Sequence, residues 1–382
     1  MKAGWQTKTL GNLCDILDNR RKPITKCDRK AGPYPYYGAT GILDYVDGYL
    51  FDEALILVGE DGAKWASGEN TAFAVDGKCW VNNHAHVLRP HRSVLLDNWL
   101  IHFLVHSDLS EFVSGLTVPK LNQGSLREIS LPVPPLPEQQ RIVTLLDEAF
   151  DGIATAKANA EKNLQNARAI FESHLQSVFT QRGDGWVEKS LEELGTITSS
   201  KRIFKSEYVE FGIPFYRTKE IKELANGRDI TTELFISEAR YNEIKAGFGV
   251  PKAGDILITA IGTIGEIWVV DGEEDFYFKD GNVLWLKEFS SINPQFLRYV
   301  LLSFVDSLNK MSHGSAYSAL PIQRLNVHRI FLPSKVEQEQ VVTTLDALYE
   351  ATQRLESIYQ QKLTALDDLK KSLLHRAFNG DL

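Results

Sequence analysis

Residues 138–144 read Glu138-Gln139-Gln140-Arg141-Ile142-Val143-Thr144, and residues 337–343 repeat the pattern as Glu337-Gln338-Glu339-Gln340-Val341-Val342-Thr343. The offset is 199 residues (337 − 138), and it holds without a gap as far as Phe179 and Phe378. The beginning of the chain also recurs, because Gly4-Trp5 reappears as Gly185-Trp186 at an offset of 181. A repeat this long and this ordered predicts that the chain consists of two similar halves.

Each half has a longer stretch followed by a segment of about 45 residues, which predicts four parts: 1–135, 136–182, 183–335 and 336–382. In the longer stretches, short apolar runs alternate with turn residues, as where Gly254-Asp255 precedes residues 256–259. Helices are predicted to begin near Asp97-Asn98 and Asn293-Pro294. This pattern favours an α+β fold with antiparallel sheets over alternating βαβ units.

The two short segments are predicted to be long helices, because apolar residues recur at the alternating spacings of four and three that are typical of a coiled coil. One stripe is rich in alanine and the other in leucine and tyrosine, so large side chains facing small ones predict that the two helices pair with each other. About 43 residues would give a rod roughly 65 Å long. The alternative is two amphipathic helices in the core of an ordinary domain. The predicted packing positions are Ile142, Leu146, Ala149, Ile153, Ala156 and Ala160 in the first segment and Leu345, Leu348, Leu355, Tyr359, Leu366 and Leu373 in the second.

The composition is that of a globular protein, with 382 residues, 43% hydrophobic residues and a formal net charge of −8. No apolar run approaches the roughly 20 residues of a membrane helix, and the first residues lack the apolar region of a signal peptide. Only three cysteines are present, which fits a reducing compartment. We therefore expect a soluble cytoplasmic protein with no membrane partner.

The net charge excludes a nucleic-acid-binding protein that is basic over its whole surface, but the distribution of charge along the chain is compatible with a locally basic nucleic-acid-binding surface. Residues 1–135, 136–180, 181–335 and 336–382 carry net charges of −1, −2, −2 and −3, which sum to −8. The two short segments thus hold 5 of the 8 excess negative charges, and the longer stretches are close to neutral for their size.

No catalytic constellation is predicted. Residues 293–296 read Asn-Pro-Gln-Phe, which differs at the third position from the box with which adenine methyltransferases grip a flipped base, and a helix cap explains them better. No phosphate-binding loop of the G-x-x-x-x-G-K-[ST] type occurs. Cys79, His84 and His86 lack a second ligand pair that would complete a metal site, and Glu60 with Asp61 is interpreted as a solvated turn. The sequence predicts a binding protein without catalytic residues or metal.

The stretch Leu131-Pro132-Val133-Pro134-Pro135-Leu136-Pro137-Glu138-Gln139-Gln140-Arg141-Ile142-Val143 closely resembles the specificity subunit of Type I restriction–modification enzymes. Residues 35–41, 254–257 and 378–382 are similar to further motifs of that family, so the resemblance covers essentially the whole chain. Two places depart from the pattern. Residues 333–336 replace the proline-rich approach to the second helix, and residues 59–62 are an atypical version of a first-half turn.

The resemblance implies two target-recognition domains, held apart by an antiparallel pair of helices with pseudo-twofold symmetry. Each domain would read one half of a bipartite site in double-stranded DNA. The helices would dock two modification subunits that carry S-adenosylmethionine, and restriction subunits that use ATP and Mg²⁺ would join them, so no cofactor is expected on this chain. An internally repeated chain would mimic a symmetric dimer on DNA, while its halves remain free to read different sequences.

Candidate DNA contacts are the basic, amide and aromatic residues of turn-rich stretches, because arginine pairs well with guanine, asparagine and glutamine pair with adenine, and lysine often binds phosphate. The candidates are Arg20, Arg21, Lys22, Tyr36, Tyr37, Asn82, Asn83, His84, Lys120, Asn122 and Gln123 in the first half, and Lys201, Arg202, Arg217, Thr218, Lys219, Lys279, Tyr317 and Gln323 in the second.

Two other functions remain open at this point. A coiled-coil scaffold whose longer stretches bind proteins would enrich no DNA sequence from random duplexes. A self-contained methyltransferase would bind S-adenosylmethionine tightly without any other subunit.

Overall fold

The structure is a computed structural model that describes residues 4–115, 117–181, 183, 185–304 and 320–382. Tertiary contacts divide the chain into two units, one formed by Met1–Lys162 with Tyr359–Leu382 and the other by Asn163–Ile358. Each unit contains one globular block and a part of each of two long helices. We call residues 4–135 the first block and residues 185–334 the second block.

The first block is built around two four-stranded sheets. Its strands and helices are β1 (Gln6–Thr9), α1 (Leu10–Leu13), β2 (Cys14–Ile16), β3 (Ala31–Gly38), β4 (Gly41–Val46), β5 (Phe51–Asp52), β6 (Leu55–Gly59), β7 (Ala72–Val75), β8 (Lys78–Val81), β9 (Ala85–Pro90), α2 (Asp97–His106), β10 (Val113–Ser114), β11 (Lys120–Leu121), α3 (Gln123–Glu128) and β12 (Ser130–Val133). One sheet has the order β2-β9-β6-β7 and is wholly antiparallel, and the other has the order β4-β3-β8-β5.

The long helix α4 (Leu136–Thr180) follows the first block, and the second block comes after it. The second block contains β13 (Val187–Ser190), β14 (Thr196–Thr198), β15 (Tyr208–Val209), β16 (Ile213–Tyr216), α5 (Thr218–Ala225), β17 (Phe235–Ile236), α6 (Glu238–Gly247), β18 (Ile256–Thr259), β19 (Ile267–Val269), β20 (Tyr277–Phe278), β21 (Val283–Lys287), α7 (Pro294–Ser303), α8 (Ile322–Asn326) and β22 (Arg329–Leu332). Its sheets have the orders β14-β21-β18-β19 and β15-β17-β16-β20. The second long helix, α9 (Lys335–Asn379), completes the chain.

The α+β class is confirmed, with one difference from the expectation of antiparallel sheets. In the first block β3 pairs with β8 in parallel, and in the second block β16 pairs with β20 in parallel. Among the four-stranded sheets of the described residues, each block therefore has one antiparallel and one mixed sheet. The recurrence of the parallel pair shows that the repeat extends to strand pairing, although the sequences of the two blocks have diverged.

Both long helices have 45 residues, and their ends follow from local sequence. Prolines precede the first turn of α4, where a missing backbone N–H costs little. Ser334 and Glu337 form a capping box at the beginning of α9, since the Ser334 N–H donates to the Glu337 carboxylate and the Glu337 N–H donates to Ser334 Oγ. Gly380, at φ +83°, ends that helix.

Within each unit the two helices run antiparallel. In the first unit Arg141 Nη2 donates to Leu382 O at 2.7 Å, and Lys157 Nζ lies 2.7 Å from Asp367 Oδ1. In the second unit Arg168 Nε donates to Glu356 Oε2 at 2.8 Å, and the Phe171 ring lies 5.3 Å from the Tyr349 ring, between centroids. Residue numbers thus rise along one helix as they fall along the other.

The packing positions predicted for the helices fall into three groups. Leu355 is 38% exposed, so the structure differs from the prediction there, whereas Thr352 in the same stripe is 3% exposed. A straight helix has 3.6 residues per turn, so a strict 3.5-residue stripe drifts off the contact face. Ile142, Leu146, Ile153, Ala160 and Leu345 are buried, whereas Ala149, Ala156, Leu348, Tyr359, Leu366 and Leu373 are half-buried.

Each block joins its helices through one aromatic cluster. In the first unit the buried Trp99 ring lies 5.7 Å from Trp5 and 4.9 Å from Phe378, between ring centroids. In the second unit Phe296 lies 5.6 Å from Phe179 and 6.1 Å from Trp186. Each such aromatic pair contributes about 1 kcal/mol beyond area burial, and the contacts of Phe378 and Phe179 join one hydrophobic cluster of the block to a long helix in each unit.

Candidate nucleic-acid interface

In the first block, candidate DNA-contact residues meet at a buried cluster of charges. Arg21 binds the Glu60 carboxylate and donates to Ala85 O at 2.8 Å, and its Nη2 lies 3.3 Å from Asp18 Oδ2. Lys120 Nζ lies 2.8 Å from Glu60 Oε1. These contacts join the segment after β2, the turn after β6 and strand β11, so the cluster fixes three chain connections to one another.

His86 lies at the centre of this charged cluster and is fully buried. Its Nδ1 is 2.6 Å from Asp18 Oδ2 and its Nε2 is 2.7 Å from Leu121 O. Both partners of the ring are oxygen atoms of other residues. Gln123 Nε2 adds a further bond to Asp18 Oδ2 at 3.0 Å.

The electrostatics of the two buried acids follow from these partners. Burial alone would raise the pKa of Asp18, but hydrogen bonds from His86 and Gln123 and the charge of His86 outweigh it and hold the pKa below its ordinary value. Burial opposes ionisation of Glu60 as well, and hydrogen bonds from Lys120 and Arg21 lower its pKa. The hydrogen bond to Glu60 raises the pKa of Lys120. Both acids are therefore charged at neutral pH.

Asp18, Glu60 and His86 also form a group whose ligand atoms lie within 4.8 Å of one another, as metal ligands do. Arg21 and Lys120 already supply positive charge to Glu60. The arrangement is therefore that of an internal ion network.

Other first-block candidates divide by exposure. Tyr36 is 1% exposed, with its hydroxyl oxygen accepting from Ile24 N at 2.9 Å, and Asn82 is 3% exposed, with Oδ1 accepting from His84 N at 2.8 Å. Because both side chains are buried inside the block, they can stabilise the candidate DNA-binding surface but cannot contact DNA directly. Tyr37 is half-buried, the His84 ring binds Asp61, and Arg20 lies over the Phe51 ring, whereas Lys22, Asn83 and Asn122 are exposed.

In the second block three candidates lie between strand β16 and the first turn of helix α5. Arg217 Nη2 lies 2.7 Å from Glu220 Oε1 and 2.9 Å from Glu233 Oε2, and these hydrogen bonds raise its pKa. Lys219 Nζ shares Glu233 at 3.0 Å. Thr218 lies between them in sequence, and its Oγ1 is buried without a hydrogen-bond partner among the described residues.

The remaining second-block candidates are more open to solvent. Arg202 Nε donates to Asp280 Oδ2 at 2.9 Å while its side chain stays 69% exposed. Lys201 lies over the Phe248 ring, 5.6 Å from its centroid. The Lys279 N–H donates to Tyr216 O at 2.9 Å. Lys279 and Gln323 are exposed, and Tyr317 lies outside the described residues.

The acidic partners are the residues that sequence reasoning missed. Glu60 was interpreted as solvated, and that interpretation is wrong, because the residue is 7% exposed and binds two cations. Asp18 and Glu233 were not singled out. A single sequence carries little signal for them, since Glu60 and its partner Lys120 are separated by 60 residues.

Main-chain hydrogen bonds place Glu60 of the first block and Ala260 of the second in equivalent positions of the two blocks. In the first block the Glu60 N–H donates to His84 O, and Glu60 O accepts from the Leu121 N–H. In the second block the Ala260 N–H donates to Asn282 O, and Ala260 O accepts from the Leu320 N–H. Strand pairing aligns Ile16 with Ile197 and His86 with Leu284, and the same offset of 181 residues puts Arg202 at the position of Arg21. The two blocks thus present different side chains from one scaffold.

Within the described ranges, none of the helices combines the length and apolar composition needed to cross a bilayer.

Comparisons with known proteins agree with this duplicated architecture. A sequence profile of the Type I restriction modification DNA specificity domain matches residues 2–165 and again residues 183–365. The chain is 30% identical to the type I restriction enzyme specificity subunit S.HindORF215P of Haemophilus influenzae, over 89% of this chain and 86% of that one. It is 23% identical to the MjaVIII specificity subunit of Methanocaldococcus jannaschii, over 99% and 93% of the two chains.

Solved structures show the same fold. A structure from work on complex assembly and conformational transition of the type I R-M system aligns with a TM-score of 0.78 at 20% identity, covering 100% of this chain and 99% of that one. The HsdS subunit from Thermoanaerobacter tengcongensis aligns with a TM-score of 0.62 at 20% identity, covering 100% and 98%. The chain therefore belongs to the family of Type I restriction–modification specificity subunits, and its function is recognition of a bipartite DNA target through one specificity domain in each half.

Proposed function

We propose that this chain acts as a non-catalytic targeting subunit, in which each block reads one half-site and other subunits carry out the chemistry. The observation that supports this most directly is the shared backbone frame with divergent side chains. The Glu60 position of the first block is occupied by Ala260 in the second, and the His86 position by Leu284. A common scaffold carrying two different surfaces suits recognition of two different half-sites.

Base contacts and phosphate contacts would come from different members of the candidate set. Exposed cations such as Lys22 and Arg202 are suited to phosphate or base edges, because they can leave water without breaking a buried ion pair. Arg21 and Lys120 are held in the internal ion network, so their role would be to shape the connections that reach DNA. The first block would therefore read DNA mainly through Lys22, Asn83 and Asn122.

The partners would dock on the long helices. Several apolar side chains on these helices are exposed: Leu145, Ile170, Leu355, Ile358 and Leu369. The segments 136–180 and 336–382 carry net charges of −2 and −3, which suits protein contact better than contact with phosphate. We infer that two modification subunits carrying S-adenosylmethionine bind there, that restriction subunits supply ATP and Mg²⁺ chemistry, and that the complex works in the cytoplasm.

The test is the methylation pattern of cells that express this chain with its modification subunits. One bipartite adenine motif, lost when this chain is omitted, is the expected result. Selection from random duplexes with the purified complex should enrich the same motif. Failure to enrich any sequence would favour a protein-binding scaffold and contradict the proposal.

The non-catalytic part of the proposal has its own measurement. Titration calorimetry of this chain alone with S-adenosylmethionine should show no binding, whereas the complex with modification subunits should bind it. Tight binding by the isolated chain would instead indicate a self-contained methyltransferase.

A further inference from the structure

Each long helix carries a buried glutamine as its fourth residue. Gln139 is 0% exposed in α4 and Gln338 is 1% exposed in α9, and the two are related by the 199-residue offset of the repeat. Glutamine is rarely buried completely unless its amide group is hydrogen-bonded. The recurrence in both halves shows that the feature belongs to the scaffold and does not depend on the sequence of either block.

Gln139 joins its helix to the segment that leads into α2. Its Nε2 donates to Val94 O at 2.9 Å and to Pro134 O at 2.8 Å, and its Oε1 accepts from Leu96 N at 2.9 Å. Leu96 is the residue immediately before α2. One side-chain amide therefore satisfies backbone groups on both sides of the junction between the first block and its helix.

Gln338 makes the same connection in the second block. Its Nε2 donates to Pro333 O at 3.0 Å, and its Oε1 accepts from Asn293 N at 2.7 Å. Asn293 caps α7, with Oδ1 accepting from Gln295 N and Phe296 N. As in the first block, the amide bridges the proline that precedes the long helix and the residue that precedes the block's own helix.

A second contact lies about two helical turns further along each long helix. His102 Nε2, on α2, lies 2.8 Å from Asp147 Oδ1, and the Tyr299 hydroxyl, on α7, donates to Asp346. Asp147 and Asp346 are again related by the offset of 199. Two attachment points along a helix fix its direction, whereas one would leave it free to pivot.

We propose that Gln139 and Gln338 are positioning residues that fix the angle of each recognition block on its own part of the long helices, and thereby determine which spacer length between half-sites is accepted. The inference rests on the proposed function. An apolar side chain of similar volume would fill the same space but leave the backbone groups at the junction without partners. The hydrogen bonds of the amide therefore restrict the angle between the block and the long helix more than apolar packing alone would.

The test uses the full chain in complex with its modification subunits and the variant Gln139→Met, which preserves volume and removes the amide. Methylation is measured on duplexes that carry the native half-sites with the spacer at its native length and changed by one or two base pairs. We expect the preference for the native spacer over its neighbours to fall about tenfold, while the base preference within each half-site stays unchanged. Gln338→Met should have the same effect from the second block.

Three controls separate positioning from general loss of structure. Gln140→Met changes the exposed neighbour and should leave spacer preference intact. Leu57→Ala, in the buried β6 strand away from the junction, should lower the melting temperature without changing spacer preference. If Gln139→Met does not fold, Gln338→Met carries the test. Unchanged spacer preference in a folded variant, or an equal loss at every spacer, would overturn the proposal. A wild-type complex with no sequence preference would contradict the proposed function itself.

Discussion

The two blocks share a backbone frame but stabilise it differently at the end that carries the candidate contacts. In the first block a buried ion network ties Asp18, Arg21 and Glu60 together around His86. In the second, the positions at the 181-residue offset are Ser199 and Arg202, main-chain hydrogen bonds place Ala260 at the Glu60 position, and Arg202 is largely exposed. The comparison shows that main-chain hydrogen bonds maintain the scaffold in both blocks, whereas side chains are free to serve either internal structure or recognition.

The largest expected difference between the blocks is the loss of stability that follows when one acidic side chain is removed. Glu60→Ala should reduce the free energy of unfolding by about 3 kcal/mol, because it leaves Arg21 buried without its closest counter-charge. Urea denaturation of the full chain, monitored by hydrogen exchange in peptides of each block, measures the effect. A loss that is equal in the two blocks would show that the network does not act locally.

Acidification should act differently on the buried acids of the two blocks. The pKa values of Asp18 and Glu60 lie below their ordinary values of 3.8 and 4.5, so the stability they contribute is present above those values and is lost as the pH falls through the folded-state pKa. In the second block burial raises the pKa of Asp255 above 3.8, so its contribution is favourable at low pH and is lost as the pH rises through the folded-state pKa.

Block-resolved hydrogen exchange between pH 6 and pH 3, corrected for intrinsic rates, tests this contrast. The first block should open more readily as the pH falls. Glu60→Gln should weaken that dependence, and Asp255→Asn should remove the opposing contribution of the second block. Identical pH profiles for the two blocks would contradict the assignment.

A smaller effect is expected on DNA binding from Arg217→Ala. This residue is anchored by Glu220 and Glu233 at the N-terminus of α5, and its loss should weaken binding by roughly 1–2 kcal/mol, about tenfold, at the second block's half-site only. Competition binding with duplexes altered in one half-site or the other measures it. Arg217→Lys preserves the charge and should recover part of the affinity. Unchanged affinity and target sequence in Arg217→Ala would refute a role in recognition.

The smallest effect should follow Asp280→Ala in the second block. Its partner Arg202 is 69% exposed, and exposed ion pairs contribute less than about 1 kcal/mol. Thermal unfolding should therefore shift little. Because Arg202 is freed from its carboxylate, affinity for DNA at low salt should stay the same or rise. A destabilisation as large as that of Glu60→Ala would remove the contrast between the blocks.

Several features could be predicted because they are written in contiguous sequence. The repeat at an offset of 199, the long helices and the cap at Asn293 all follow from periodicity or from residues a few positions apart. The family could be predicted for the same reason, since its motifs are short runs such as residues 131–143. The exposure of Leu355 shows that a periodic pattern predicts the buried face of a long helix less accurately along its length.

What only the tertiary structure decided is how polar side chains are used. Glu60 has the same sequence surroundings whether it is solvated or binds Arg21 and Lys120, and Gln139 differs from the exposed Gln140 only by pointing to the other side of the helix. Local sequence determines secondary structure because its hydrogen bonds join near neighbours. The partners of a buried charge or amide lie tens of residues away, so they are specified only when the chain folds and removes those groups from water.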